Sequence, residues 1–268
     1  LQDAKGKIML SKHSSQAILL FLIASFIAGC GSNQKAASIS PPTSIPQPNS
    51  ITATPPAQQS SPNFDLSKYA FPGLIDPTKH YLFYLHGKII EDQGIPAVSP
   101  DYGEYEYQAI LEKLGSSGFV VLSEQRAKNT DAMLYAKRIV EQVTALRQAG
   151  VPAKNITVVG ASKGAGITIF VSHLLENEEI NYVIMAICDA ATIKELEQNE
   201  MSLYGNVLSI YDSTDQLAGS CQELFTFSEG RGLSRHNEIV LKVGTGHAVL
   251  FKPLDEWITP AIQWAGKP

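Results

Sequence analysis

Beyond residue 79, short runs of β-branched, aromatic and aliphatic side chains alternate with longer stretches in which apolar residues recur every three or four positions. The runs span residues 80–85, 119–122, 156–159, 182–187, 206–211 and 239–243. They are nearly continuous in apolar character, as expected of strands buried on both faces. Between them lie helical patterns. Tyr107, Ile110, Leu111 and Leu114 share one face, and Gly115 and Gly118 end that segment. Asp131 is placed to cap a long helix carrying Met133, Ala136, Val140, Val143 and Leu146, which Gly150 and Pro152 stop. After Ser162, the residues Ile167, Ile169, Phe170, Leu174 and Leu175 occupy more than one helical face, which predicts a buried helix. Leu254, Trp257, Ile258, Ala261 and Ile262 predict a closing helix that Pro260 bends or divides. Residues 88–103 hold Gly94, Pro96 and Pro100 and read as an unusually long loop.

Parallel strands need crossover connections, so this alternation predicts an α/β fold: one mostly parallel sheet of about six strands with helices on both faces, spanning residues 64–268. The 188–205 interval is too short for a cap domain, which leaves the carboxyl ends of the strands open, walled by residues 88–103 and 225–237.

The first 63 residues follow other patterns. Lys5, Lys7 and Lys12 precede an apolar run over 17–27, shorter than the roughly 20 residues a membrane-spanning helix requires. It ends in Ile27-Ala28-Gly29-Cys30, which resembles the bacterial lipobox. That resemblance implies a lipoprotein signal over residues 1–29, with Met9 a plausible start, and lipidation of Cys30. Residues 31–63 turn to Pro, Ser, Ala, Gln and Thr and read, with Cys30, as a disordered tether (30–63). The expected location is therefore extracytoplasmic, at a bacterial cell envelope or periplasm, on a membrane through the lipid.

Composition changes the picture little. A formal net charge of -5 over 268 residues, without a basic cluster, argues against a nucleic-acid partner and predicts no strong steering of anions. Of the three cysteines, Cys188 and Cys221 remain beside Cys30, and a disulfide between them or two buried thiols both fit an exported chain.

Chemistry in open α/β sheets gathers at the carboxyl ends of the strands. The residues found there are His86 and Gly87, Ser162, Asp212 or Asp215, and His247. Gly160-Ala161-Ser162-Lys163-Gly164 is a G-x-S-x-G pattern between strand and helix, and Ser, Asp and His follow in chain order. On these residues, 64–268 resembles the α/β-hydrolase superfamily, in particular exported bacterial members with a lipoprotein signal. The resemblance implies Ser162 as nucleophile, His247 as its base and Asp215 as the acid, with Asp212 as the alternative acid. It also implies an oxyanion hole from the backbone N–H groups of Lys163 and Lys88. His86 is then structural, since no partner at metal-ligand spacing accompanies it, and neither metal nor cofactor is expected.

The remaining polar residues receive plain readings: Glu91-Asp92 a solvated turn, Glu124 and Arg126 a mutual ion pair, the Lys163 side chain directed away from the site, and His173 and His236 without a role. The function expected is a carboxylic-ester hydrolase acting on a small ester through an acyl-enzyme. A serine peptidase and a catalytically silent binding lipoprotein are the alternatives. Nothing in the chain selects the acyl group or the oligomeric state.

Overall fold

The computed structural model describes residues 65–266. The expected signal segment, Cys30 and the expected tether lie outside the described residues. In chain order the elements are β1 (Tyr81–Leu85), α1 (Lys88–Gln93), β2 (Val98–Ser99), β3 (Gly103–Glu104), α2 (Tyr107–Gly115), β4 (Val120–Leu122), α3 (Ala132–Gln148), β5 (Ile156–Ala161), α4 (Lys163–Leu175), β6 (Asn181–Met185), α5 (Ala190–Gln198), β7 (Gly205–Asp212), α6 (Gln222–Ser228), β8 (Leu233–Leu241) and α7 (Asp255–Trp264). Six strands form one sheet in the order β4-β1-β5-β6-β7-β8, and every adjacent pair is parallel. The strands β2 and β3 form a separate antiparallel ribbon.

Side-chain alternation sorts the core into two halves, one on each face of the sheet. Tyr81, Phe83, Leu85, Ile156, Val158, Tyr182 and Ile184 face the half that takes Val143 and Leu146 of α3, Ile167 and Phe170 of α4, Ile193 of α5 and Phe225 of α6. Leu82, Tyr84, Val159, Val183, Met185 and Leu208 face the other half, filled by Ile110 and Leu114 of α2 and Trp257, Ile258 and Ala261 of α7. Both faces are thus sealed by helices, which is why the strand runs read as continuously apolar.

The strand order places the site. From β1 the chain moves outward to β4, returns across β1 to β5, and then steps steadily to β8. The direction reverses between β1 and β5, and a crevice opens at the carboxyl ends of these two strands, where the connections leave toward opposite faces.

Four expectations are corrected by the fold. Residues 88–103 are a short helix followed by the β2–β3 ribbon, not a loop. β8 begins at Leu233, six positions before the expected run. Its first half is a solvent-facing edge of mostly polar residues, so it lacks the apolar signal of a buried strand. Because β8 starts beside the amino end of β7, residues 229–237 lie far from the carboxyl ends, and Phe225 is core; the segment 225–237 is not a wall of the site. The helix α7 also runs undivided through Pro260.

Candidate active site

Ser162 follows β5 directly and precedes α4, with φ 52° and ψ −118°. A left-handed φ at a residue bearing Cβ is strained, and surrounding structure must hold it there. The two glycines of the pattern do so. A Cβ on Gly160 would lie 2.2 Å from the carbonyl oxygen of Gly164, and one on Gly164 would lie 1.9 Å from that of Leu85. Helix α4 therefore packs backbone to backbone on β5 and β1, and only hydrogen fits at either position. The Ser162 N–H extends the ladder to β6 by donating to Met185 O at 2.9 Å. Its hydroxyl makes no capping bond to α4 and is half-buried.

Two strands along the same edge, the loops after β7 and β8 meet. Strand spacing of roughly 4.8 Å puts β5 and β7 about 10 Å apart, a gap that loop side chains can cross. His247 Nδ1 and Asp215 Oδ2 lie 2.8 Å apart, with the Asp215 side chain fully buried. Asp215 Oδ1 also accepts from Leu217 N–H at 2.8 Å, which fixes the carboxylate plane. Asp212 has a different task. Its Oδ1 accepts from Thr214 N–H at 2.9 Å and from the Thr214 hydroxyl at 2.5 Å, and its Oδ2 accepts from Val243 and Gly244 N–H at 2.9 and 3.0 Å. Burial pushes the Asp212 carboxyl up, but these four bonds to its ionised form outweigh burial and hold it below the usual carboxylate range. Thr214 Oγ1 in turn accepts from Gly246 N–H at 3.1 Å. Of the two acids, then, Asp215 is on the imidazole and Asp212 staples the β7 and β8 loops together.

The turn after β1 stands beside the serine. A Cβ on Gly87 would lie 3.8 Å from Ser162 Cβ and 3.8 Å from Tyr105 Cε2. Lys88 opens α1 and Lys163 opens α4, so the backbone N–H of each lies in a first helical turn and has no intrahelical acceptor. The Lys88 ammonium turns to Asp92. His86 is held at both ring nitrogens: Nε2 accepts from Arg126 N–H at 2.9 Å, and Nδ1 donates to Gly87 O at 2.8 Å. Burial first, and then the Arg126 cation, hold this imidazole well below its ordinary pKa and keep it neutral.

Beneath this turn lies a buried charged cluster, where a solvated turn and a local ion pair are expected from the sequence. Glu91 is buried, not solvated, and its carboxylate is shared by Arg126 Nε at 2.6 Å and Lys163 Nζ at 2.5 Å. Arg126 therefore pairs with Glu91, and Glu124 pairs instead with Arg138 at 2.7 Å. The Lys163 side chain, expected to point away, also donates to Thr130 O at 2.7 Å. An aromatic wall, absent from the sequence expectations, flanks the site: Phe251 packs against Tyr105 and Tyr102, with ring centroids 4.8 and 5.5 Å apart, and Tyr102 tilts toward the His247 ring at 6.4 Å. The signal was present in the aromatic spacing of Tyr102, Tyr105 and Tyr107, but not the fold-back of residues 246–251 that completes the wall. His173 and His236 sit on the last turn of α4 and within β8, away from the strand ends. Cys188 and Cys221 form a disulfide with Cα atoms 5.1 Å apart, tying the turn after β6 to the start of α6.

A cavity of about 310 Å³ lies under the ends of β1 and β4, lined by Tyr69, Phe71, Leu85, Leu122 and Tyr135 among others. Ser162 and His247 are not in its lining. Among the described residues no helix is long and apolar enough to cross a membrane.

No protein-family model matches the sequence, and neither does any curated protein. Solved structures align with the chain at low identity. A CIB-like hydrolase from Thermoplasma acidophilum aligns at 14% identity and TM-score 0.46, over 71% of this chain and 87% of its own. The Bacillus cereus carboxylesterase aligns at 16% identity and TM-score 0.45, over 72% of this chain and 90% of its own. An arylesterase aligns at 13% identity and TM-score 0.47, over 71% of this chain and 75% of its own. The chain's own architecture is a six-stranded parallel sheet covered by helices on both faces.

Proposed function

We propose that this chain is a serine hydrolase, most simply a carboxylic-ester hydrolase acting on small esters, with Ser162 as nucleophile, His247 as general base and Asp215 as the acid that orients the imidazole. The observation that carries this reading is the His247–Asp215 hydrogen bond of 2.8 Å on the edge where the strained Ser162 stands. A serine hydroxyl is too weak an acid to attack unaided, and a glycine-flanked serine at a strand end, paired with a carboxylate-held histidine, meets that need.

In this reading His247 Nε2 removes the Ser162 proton as Oγ bonds to the ester carbonyl carbon. The carbonyl π pair moves onto oxygen, where the N–H groups of Lys88 and Lys163 receive it. As the tetrahedral species collapses, the bond to the alcohol oxygen breaks and His247 returns the proton to it. Water then repeats the sequence on the acyl-enzyme, releasing acid and Ser162. Among the described residues His247 is hydrogen-bonded to Asp215 and not to the Ser162 hydroxyl; in this reading the Ser162–His247 bond forms when substrate fills the crevice.

We further propose that the body works outside the cytoplasm, anchored by lipid on Cys30 and spaced by the tether. The Cys188–Cys221 disulfide supports an oxidising compartment.

The test is fluorophosphonate labelling of the full chain in detergent, with hydrolysis of p-nitrophenyl butyrate in parallel. The unsubstituted chain is expected to label and turn over, Ser162→Ala to do neither, and His247→Ala to label at least a hundredfold more slowly. An unsubstituted chain that neither labels nor hydrolyses overturns the reading. Loss of the membrane-bound fraction in Cys30→Ser tests the anchor.

A further inference from the structure

The strands β4, β1 and β5 are neighbours in the sheet, and the turns that leave their carboxyl ends are joined by one buried carboxylate. Glu91 comes from the helix after β1. Its Oε1 accepts from Arg126, which follows β4, and its Oε2 accepts from Lys163, which follows Ser162 at the end of β5. The side chains of Glu91 and Arg126 are fully buried, and that of Lys163 is 11% exposed. Arg126 is itself locked onto the turn after β1: its backbone N–H donates to His86 Nε2, and its Nη2 donates to His86 O. Lys163 is locked at its far end to Thr130 O, just before α3.

A network this buried is a poor device for stability alone. Desolvating three charges is costly, and apolar residues of similar volume commonly stabilise as well. What it supplies is geometry. One arm ends on Lys163 and the other, through Arg126, on His86; in the hydrolase reading the backbone of Lys163 is one oxyanion donor, and Glu91 lies one helical turn beyond Lys88, which is the other.

We propose that Glu91 is a positioning residue for acylation: gripped at once by Arg126 and Lys163, it fixes the separation of the Lys88 and Lys163 backbone N–H groups that receive the oxyanion. Lys163 then acts twice, through its main chain on the substrate and through its ammonium on Glu91. The inference rests on the serine hydrolase reading above. The cluster's formal charge, one carboxylate against two cations, also leaves a positive balance beneath the position where negative charge develops.

The test uses Lys163→Met, Glu91→Gln and the double variant in the full chain, assayed with p-nitrophenyl butyrate and fluorophosphonate. Lys163→Met keeps the backbone donor and leaves Glu91 paired with Arg126, so it is expected to fold. Because a misplacement of about 1 Å can cost on the order of a hundredfold, kcat is expected to fall by about 10- to 100-fold, with KM within about twofold and the melting temperature little changed. Glu91→Gln sets two buried cations against each other and is expected to lose both stability and kcat. The double variant is expected to be no slower than the slower single one, since the residues act as a unit. A Lys163→Met enzyme with unchanged kcat, or with its loss in KM alone, overturns the proposal, and so do losses that multiply in the double variant. If the unsubstituted chain takes no fluorophosphonate label, the hydrolase reading falls and this proposal with it; if it labels and Lys163→Met turns over normally, only this proposal falls.

Discussion

His247 Nδ1 lies 2.8 Å from Asp215 Oδ2, while Asp212, three residues earlier, spends both carboxylate oxygens on backbone and hydroxyl donors of its own loops. The two acids are thus separated by task, one orienting an imidazole and the other closing a loop. Asp215→Asn is expected to lower kcat by about three to four orders of magnitude, as loss of an orienting carboxylate does, with a small change in melting temperature. Asp212→Asn is expected to do the reverse, keeping most of the turnover per folded molecule and costing about 1–3 kcal/mol of stability. Ester hydrolysis and urea unfolding on both variants check the pair.

The lowered pKa of Asp212 adds a pH signature. A carboxyl whose folded pKa lies below its ordinary 3.8 contributes stability that is fully present above that value and is lost as pH falls through the lower folded one. The stability gap between the unsubstituted chain and Asp212→Asn should therefore be constant near neutrality and shrink below pH 3.8. A gap that stays constant to pH 2.5 would count against the staple.

His86 titrates in a different window. Its folded pKa lies well below the ordinary 6.5, because burial and the Arg126 cation disfavour the imidazolium. The unfolded chain thus takes up a proton near pH 6.5 that the folded chain refuses. The stability this neutral ring confers is complete above 6.5 and declines as pH falls below it, by at most about 1.4 kcal/mol per pH unit. His86→Gln should unfold more easily at pH 7.5 and show a flatter decline between pH 6.5 and 5, measured by thermal melts across that range.

Much of this site was legible before any coordinates, because the residues that carry it are tied to strand ends. A strand run followed by Gly160-Ala161-Ser162-Lys163-Gly164 announces its own turn, and the order of strands locates Asp215 and His247 on later loops. What was not legible depends on pairing across the sheet. Glu91 reads as a surface residue beside Asp92, and the six-residue helix that buries it is too short to show a period. Arg126 has Glu124 two residues away and Glu91 thirty-five away, and only the adjacency of β4 and β1 makes the distant partner the nearer one. The early start of β8 was hidden for a related reason, since an edge strand needs no apolar face to be held by its neighbour.

The disulfide closes a loop with a sequence separation of 33. On the chain-entropy account a loop of that size is worth about 3–4 kcal/mol, and it encloses the Asp215 loop. Cys188→Ala with Cys221→Ala is expected to lower the unfolding free energy by about that amount and to erase any response to dithiothreitol. Urea melts with and without reductant are the measurement.

Ser162 offers the sharpest separation of function from stability. A residue at φ 52° and ψ −118° bears strain that glycine, lacking Cβ, largely escapes. Such strain costs on the order of 1–3 kcal/mol, while glycine gives back about 0.5–1 kcal/mol through the greater freedom of the unfolded chain. Ser162→Gly should therefore be inactive yet more stable than the unsubstituted chain, by about 1 kcal/mol on balance. Ser162→Ala, which keeps Cβ and hence the strain, should be equally inactive without that gain. If the two variants melt together, the left-handed turn at Ser162 is not strained as its backbone angles imply. If only the glycine variant rises, the fold tolerates a cost at this one residue in order to present its hydroxyl.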